Sequence, residues 1–203
     1  MTLIFDHIAI SAVSLDAGVA WVEQALGVKM AGGGQHGLMA THNRLLALGD
    51  LYLEVIAIDP SAPSPTQPRW FDLDRFCGPP RLTNWVPRTQ DMATAVTSGP
   101  PNWGLPLSLT RGDYRWLMAV PADGILPYDG AYPALIQWLT PLHPTQTLPD
   151  VGVRLQHLTI THPQAAALSA ALPLNDARLH IVQGPQQAVS ATFQTPQGTR
   201  SLP

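Results

Sequence analysis

Residues 38–60, LMATHNRLLALGDLYLEVIAIDP, contain the pattern that decides the fold. Two runs rich in Leu, Ile and Val, HNRLLALG and LYLEVIAI, flank the turn-forming pair Gly49-Asp50 and predict two consecutive strands. Glu54 is the one charged residue in the second run, and strand alternation places it on the same face as Tyr52. A buried carboxylate is costly unless a partner offsets its charge. We therefore expect Glu54 to line a cavity or to pair with a buried cation.

Composition restricts the class of protein. Of 203 residues, 45% are hydrophobic and 12% are charged, which is typical of a globular chain with a substantial core. The formal net charge of -3 and the lack of a Lys/Arg cluster argue against nucleic acid or an anionic membrane as a partner. Without a signal-peptide pattern or an apolar run of roughly 18 residues, we expect no membrane span and a cytoplasmic location. Cys77 is the single cysteine, which excludes an internal disulfide and a Cys-based zinc site.

The segments before this hairpin predict a β-α-β-β-β order. Residues 3–13 alternate as a strand with Asp6 and His7 adjacent in its middle, and regular alternation predicts that these two side chains point to opposite faces. Residues 15–27 have apolar residues at helical spacing and end at a glycine. Residues 28–37 predict a strand interrupted by glycines. Together with the hairpin, these elements form one module.

The order of elements recurs along the chain, which predicts a repeat. The first module covers residues 1–60. Residues 61–80 are proline-rich without any period, so we expect an irregular linker that covers a sheet edge or a cavity mouth. Residues 81–142 predict a strand, a short helix and three strands, and residues 153–203 predict a partial third module of a strand, a helix and two or three strands. We expect one compact α+β unit.

The first module resembles the vicinal oxygen chelate superfamily and, within it, the glyoxalase-like domain group. The resemblance is carried by FDHIAI at residues 5–10, ALGV at 25–28, THNRLLALG at 41–49 and YLEVIAIDP at 52–60. It continues with lower similarity over the second module. The fold that it implies is the one shared by glyoxalases, bleomycin resistance proteins and extradiol dioxygenases. In that fold, repeated βαβββ modules have curved, mainly antiparallel sheets that enclose a cavity.

The resemblance also implies a set of site residues. In that superfamily, the first and fourth strands of each module direct His and Glu side chains to one divalent metal. Carried over by position, His7 and Glu54 are the catalytic residues and metal ligands, and Asn84 and Gln137 take the corresponding places in the second module. Neutral amides are weaker ligands than imidazole or carboxylate. We therefore expect zinc, nickel, manganese or iron to bind weakly or not at all, with His157 as an alternative ligand.

Four residues are candidates for substrate binding: Asn84, Arg88, Gln137 and His36. Arg88 shares the predicted strand face of Asn84, where its guanidinium would bind a carboxylate or phosphate, and a surface arginine is the alternative. His36 follows a glycine-rich strand and would enter the site from there, although loop polarity also explains it. The glycines at residues 32–34 lack the Lys-Ser/Thr and helix of a phosphate loop, so we expect no nucleotide cofactor.

Two functions remain open at this point. The first is a glyoxalase-like small-molecule enzyme of the lyase or isomerase type, in which Glu54 or His7 moves a proton beside a carbonyl or vicinal oxygen. The alternative is a metal-free protein of the same fold that binds or sequesters a small molecule, because the second module loses the charged ligands. A hydrogen-bonded core histidine is the other interpretation of His7. The oligomeric state is not determined, which leaves a homodimer open.

Overall fold

The computed structural model describes residues 2–203 and contains twelve strands and four helices there. The first group of elements is β1 (Ile4–Ser11), α1 (Leu15–Leu26), β2 (Ala31–His36), β3 (Thr41–Ala47) and β4 (Tyr52–Ile58). A 3₁₀ segment at Trp70–Arg75 precedes the second group, which is β5 (Arg81–Arg88), α2 (Met92–Ser98), β6 (Leu105–Arg111), β7 (Tyr114–Val120) and β8 (Leu135–Trp138). The last group is α3 (Pro144–Thr147), β9 (Arg154–His162), α4 (Ala165–Ala171), β10 (Leu179–Gln183), β11 (Ala188–Thr195) and β12 (Gly198–Leu202).

Eight strands form one curved sheet in the order β2-β3-β4-β1-β5-β8-β7-β6. At its centre β1 and β5 are antiparallel neighbours, and each lies parallel to the last strand of its own group. The remaining pairs of this sheet are antiparallel. The two βαβββ groups therefore meet along the β1–β5 ladder. This arrangement confirms the predicted α+β fold with curved, mainly antiparallel sheets.

The third group forms a separate four-stranded sheet in the order β10-β9-β11-β12. It has the element order of the other groups but a different pairing, since β9 lies between β10 and β11 rather than beside the last strand. Hydrogen bonds tie this group to both other groups, and they include two from the Arg178 guanidinium to the Asp50 carboxylate at 2.8 and 3.0 Å. The Tyr132 hydroxyl donates to the Ala171 carbonyl at 2.8 Å, and Gln197 Nε2 donates to the Gly27 carbonyl at 3.0 Å. The third group thus packs as part of one unit.

Local sequence explains where α1 begins and ends. The Ser14 side chain accepts a hydrogen bond from the Ala17 amide at 3.3 Å, which caps the helix N-terminus. Gly27 ends the helix at φ +70°, a left-handed conformation that suits glycine. Between them, Gly18 lets the helix approach β4 so closely that an added Cβ would lie 2.5 Å from Val55 Cγ1. The helix therefore packs tightly over the centre of the first module.

The proline-rich segment 61–80 contains more structure than its sequence predicts. The expectation of an irregular linker is wrong at Trp70–Arg75, where a 3₁₀ segment buries Trp70 and Phe71. Phe71 and Asp72 have φ values of +60° and +54°, a conformation that costs a side-chain-bearing residue about 1–2 kcal/mol. Burial of the two aromatic rings offsets this cost. Because the segment has no period, sequence patterns do not reveal it.

No helix within residues 2–203 is long and apolar enough to span a membrane. The cytoplasmic location and the homodimer stay predictions.

The close approach of α1 to β4 gives a test of the packing. We expect Gly18→Val to lower the free energy of unfolding by about 1–3 kcal/mol, because the added side chain overpacks the contact with Val55. The matched control is Gly32→Val, since a Cβ at Gly32 meets no atom within 4 Å. Urea denaturation should show a change within about 0.5 kcal/mol for this control. Equal stability of both variants would contradict the packing described.

Candidate functional site

A small cavity lies inside the eight-stranded sheet and brings polar side chains from both halves together. Its volume is about 30 Å³, the share of about one water molecule. Six of its lining residues carry polar groups: His7, His36, Asn43, Tyr52, Glu54 and Arg111. Six others form an aromatic and apolar wall: Trp70, Phe71, Trp116, Met118, Ile136 and Trp138. We call this space the His7 cavity.

A β-bulge turns Asp6 and His7 toward each other. In the β1–β5 ladder Phe5 pairs with Pro87 and His7 pairs with Val86, which leaves Asp6 as the extra residue. The predicted orientation of Asp6 and His7 to opposite faces is therefore wrong. His7 Nδ1 lies 2.7 Å from Asp6 Oδ1 and donates a hydrogen bond to it. Pro87 explains the irregularity, because proline has no N–H for the ladder and occurs in strands mainly at edges and bulges.

Asp6 is a fully buried carboxylate with several hydrogen-bond donors. Besides His7, its Oδ2 accepts from Arg88 Nη1 at 3.2 Å, Trp138 Nε1 at 3.1 Å and His143 Nε2 at 3.0 Å. Burial by itself raises the pKa of Asp6, but hydrogen bonds from His143 and His7, together with their charges, hold that pKa well below its usual range. An ionised Asp6 only accepts hydrogen bonds, so it keeps a proton on His7 Nδ1.

The other nitrogen of His7 points at Glu54. Nδ1 of His7 donates to Asp6, so the ring presents its other nitrogen, Nε2, to the cavity, 3.8 Å from Glu54 Oε2. This distance is too long for a hydrogen bond and short enough for one bridging atom. Asn43 Nδ2 donates to Glu54 Oε1 at 2.5 Å, and Tyr52 stacks on the His7 ring at a centroid distance of 4.4 Å. The structure thus brings His7 and Glu54 together in one cavity.

His36 and Arg111 complete the polar side of the cavity. His36 Nδ1 lies 3.0 Å from Thr41 Oγ1, and its Nε2 lies 3.4 Å from Asn43 Nδ2. Burial lowers the pKa of His36 to about 3, and the charges of Arg111 and His42 act in the same direction, so its imidazole is neutral at physiological pH. Arg111 enters from β6 and donates to Asn43 Oδ1 at 3.0 Å. A permanent positive charge therefore lies beside the His7 and Glu54 pair.

Gln137 lies outside the His7 cavity. Its Oε1 accepts from the Met92 amide at 2.8 Å and its Nε2 donates to the Gln90 carbonyl at 3.0 Å, so it holds the start of α2. Its neighbours Ile136 and Trp138 line the cavity instead. A one-residue difference in register moves a strand residue to the other face of the sheet, which explains why the repeat alignment selects Gln137.

Asn84, Arg88 and His157 also lie outside the cavity lining. Asn84 shares the inner face of the sheet with His7 but lines a neighbouring cleft. Arg88 bonds to Asp6 and borders another cleft of about 970 Å³, so it reaches His7 through Asp6. His157 is exposed and its Nδ1 lies 3.0 Å from His180 Nε2, away from the site. The proposed role of His157 as a metal ligand is therefore not supported by its position.

The residues around the cavity do not fit a resident divalent metal. His7 Nε2 and the Glu54 carboxylate face the same space, but Asn43 already donates to one oxygen of Glu54. The corresponding second-module side chains are Ile136 and Trp138, which are not ligands. Within residues 2–203, no group of three or more His, Cys, Asp or Glu side chains is arranged to hold a metal ion. Stable sites use three or four protein ligands, so we assign no chemical step to a metal.

Sequence reasoning did not assign four polar residues of this site: Asp6, Asn43, Tyr52 and Arg111, although it placed Tyr52 on the strand face of Glu54. The position of Asp6 directly before His7 is the sequence signal for Asp6. Recognition of the bulge also requires knowledge that Pro87 of β5 pairs with Phe5 of β1. Asn43 is in the quoted motif THNRLLALG, on a strand face shared with Leu45. Nothing in the sequence relates Arg111 to the first module, because this contact spans 68 residues.

Removal of the Asp6 charge tests its structural role. We expect Asp6→Asn to lower the free energy of unfolding by about 3 kcal/mol at pH 7, because a buried charge network loses its acceptor. The pKa of Asp6 in the folded protein is below its unfolded value of about 3.9. Its contribution is therefore complete above about pH 4 and is lost as the pH falls toward the folded pKa. Urea denaturation at pH 7 and pH 3 should show the difference between wild type and variant shrinking, whereas a constant difference would contradict this role.

A family model described as a glyoxalase-like domain matches residues 5–175, from β1 to the end of the third-group helix α4. A search of curated protein sequences gives no match.

Several solved structures are similar to this chain at low sequence identity. A hypothetical protein from Staphylococcus aureus has a TM-score of 0.59 and 13% identity, over 92% of this chain and 88% of that chain. Methylmalonyl-CoA epimerase from Mycobacterium tuberculosis has a TM-score of 0.44 and 17% identity, over 68% of this chain and 89% of that one. Methylmalonyl-CoA epimerase from Streptomyces coelicolor, in complex with 2-nitronate-propionyl-CoA, has a TM-score of 0.47 and 16% identity, over 69% and 100%. The first likeness supports the fold alone, and the other two carry no argument about the reaction.

Proposed function

The chain belongs to the glyoxalase-like domain family, and we propose that it is a small-molecule enzyme of the lyase or isomerase type. In this proposal His7 and Glu54 move a proton beside a carbonyl or vicinal oxygen of the substrate. The observation that carries it is the position of His7 Nε2, 3.8 Å from Glu54 Oε2 in a cavity with an aromatic wall. An imidazole and a carboxylate at this separation can both reach one substrate group.

The proton transfer starts from the hydrogen bond between His7 and Asp6. With its proton on Nδ1, His7 presents the Nε2 lone pair and acts as the base. The substrate C–H bond beside the carbonyl breaks and its proton goes to Nε2. The C–H electron pair forms a carbon–carbon double bond while the carbonyl π pair moves to oxygen, which gives an enolate. Asp6 and Glu54 then stabilise the imidazolium. Return of the proton to the same carbon of the planar enolate allows isomerisation by inversion at that carbon, and departure of a leaving group with its bonding pair from the next carbon gives elimination.

Arg111 supplies the charge that the enolate requires. Its guanidinium has five N–H donors, and among residues 2–203 its side chain donates to Asn43 Oδ1 at 3.0 Å. The remaining donors can bind a developing oxyanion. The aromatic and apolar wall lowers the local dielectric, which strengthens this interaction. His36 contacts Asn43 rather than the open part of the cavity, so we assign it a positioning role.

A metal-free protein that binds a small molecule is the second candidate function. The feature that favours it is the second-module wall, where Trp116, Met118, Ile136 and Trp138 contribute no acid or base. Such a wall would hold a ligand by burial without reacting with it. Binding without proton transfer distinguishes this function from the first.

Hydrogen–deuterium exchange measures the proposed proton transfer. Chelator-treated protein in D₂O is incubated with hydroxyacetone, dihydroxyacetone and 2,3-butanedione, and the protons beside each carbonyl are followed by NMR. We expect exchange above the buffer rate for at least one compound, and a loss of about 100-fold or more in Glu54→Gln and His7→Asn, since acid–base catalysis typically contributes this much. Addition of zinc, nickel, manganese or iron should not raise the rate.

The exposed residue His157 provides the control, because His157→Gln lies away from the cavity and should exchange at the wild-type rate. Exchange that persists in Glu54→Gln and His7→Asn would contradict the assigned residues. Binding by saturation-transfer NMR without exchange would overturn the enzyme in favour of the binding protein, and exchange that requires added metal would overturn the metal-free mechanism.

A further inference from the structure

A larger cleft opens beside the His7 cavity, and Phe71 borders both spaces. The cleft has a volume of about 530 Å³, within the range of pockets that hold small organic molecules. Its walls come from the 3₁₀ segment, from β5 and from β11 of the third group. The His7 cavity, at about 30 Å³, holds one or two heavy atoms. A substrate that reaches His7 therefore requires additional space for its body, and this cleft adjoins the cavity.

Asn84 contributes a buried polar group to the cleft that has no partner. The residue is 4% exposed, and within residues 2–203 its Oδ1 is shielded from solvent and has no hydrogen bond. Buried polar atoms are nearly always paired, so an unpaired one suggests a missing ligand group. Asn84 pairs with Ala9 in the ladder, two residues from His7 on the same face. Such diagonal neighbours lie roughly 7–8 Å apart, so one molecule can reach both residues.

Phe71 lies at the boundary in a strained conformation. Its φ is +60° and that of Asp72 is +54°, a region that non-glycine residues seldom occupy. The conformation is held by the Asp72 amide, which donates to the Gly124 carbonyl at 3.0 Å, and by stacking of Phe71 on Trp70 at a centroid distance of 5.7 Å. Strain of this kind concentrates at functional sites. Here it fixes the backbone of the residue that borders both the cleft and the cavity.

Asp72 and Arg75 pair with each other at the cleft, Arg81 lies against an aromatic ring, and Asp129 adds a carboxylate that forms no ion pair among residues 2–203. Arg75 donates to Asp72 through Nε at 2.7 Å and Nη2 at 3.0 Å, and the Arg81 guanidinium lies 4.3 Å from the Phe76 ring centroid. Several apolar side chains cover the walls between these groups: Leu82, Ile125, Leu126 and Val189. These features favour a neutral ligand with an apolar body over an anion.

We propose that this cleft binds the apolar body of a neutral hydroxyketone-type substrate and that Phe71 gates its passage to the His7 cavity. Asn84 Oδ1 accepts a hydrogen bond from the bound molecule, and the two vicinal oxygens reach toward His7. The placement of the two oxygens near His7 rests on the function proposed for His7 and Glu54. Binding of the apolar body in the cleft does not depend on that function. The third group acquires a role as one wall of the binding site.

The probe for this proposal is 2-hydroxyacetophenone, which has a phenyl body and adjacent hydroxyl and carbonyl groups. Its dissociation constant is measured by calorimetry for the wild type, Asn84→Leu and Phe71→Gly. We expect Asn84→Leu to weaken binding about 10-fold through loss of one hydrogen bond to a buried group. We expect Phe71→Gly to accelerate association in stopped-flow measurements, since the ring is removed and glycine tolerates the positive φ. Unfolding midpoints confirm that both variants fold.

The controls separate this inference from the proposed reaction. His157→Gln should bind the probe like the wild type, because His157 is exposed and lines neither the cleft nor the His7 cavity. Phenylglyoxylate, an anion with the same body, should bind more weakly than the neutral probe. Unchanged affinity in Asn84→Leu, unchanged association in Phe71→Gly or tighter binding of phenylglyoxylate would each overturn the assigned site, residue or ligand class. Failure of proton exchange alone would bear on the reaction and leave the cleft as a binding site.

Discussion

The hydrogen bond between His7 and Asp6 is the interaction on which the site depends. It exists because β1 bulges opposite Pro87, which turns two adjacent side chains toward each other. Three further donors, from Arg88, Trp138 and His143, satisfy the buried carboxylate. Arg88 and Trp138 belong to β5 and β8 of the second group, and His143 follows β8. The charge on Asp6 therefore connects both halves of the large sheet. The same charge fixes which nitrogen of His7 faces the cavity.

The two halves of the large sheet contribute different kinds of side chain to the His7 cavity. The first group supplies His7, Glu54 and Asn43, and the second supplies an aromatic wall and the cation of Arg111. A metal site shared equally between two modules requires donors from each. The second-group wall contributes no imidazole or carboxylate to the cavity lining within residues 2–203, whereas the proposed proton transfer uses a fixed cation and an oriented imidazole.

Sequence patterns were informative where the physics is local. The turn at Gly49-Asp50, the alternation around Glu54 and the glycine end of α1 depend on neighbouring residues, and the structure agrees with each. Patterns were misleading where a residue distant in sequence determines the direction of a side chain. The direction of Asp6 depends on the strand that contains Pro87, and the face of Gln137 depends on a register that a weak repeat cannot set. The buried segment around Phe71 has no period to detect.

The tautomer of His7 tests the central claim most directly. Nitrogen-15 NMR of labelled protein resolves the two ring nitrogens of each of the seven histidines, and His7→Asn assigns the His7 signals. In the neutral form of the His7 ring the account expects the proton on Nδ1 and the lone pair on Nε2, and expects Asp6→Asn to abolish this preference. A wild-type His7 with its proton on Nε2, or a tautomer unaffected by Asp6→Asn, would contradict it.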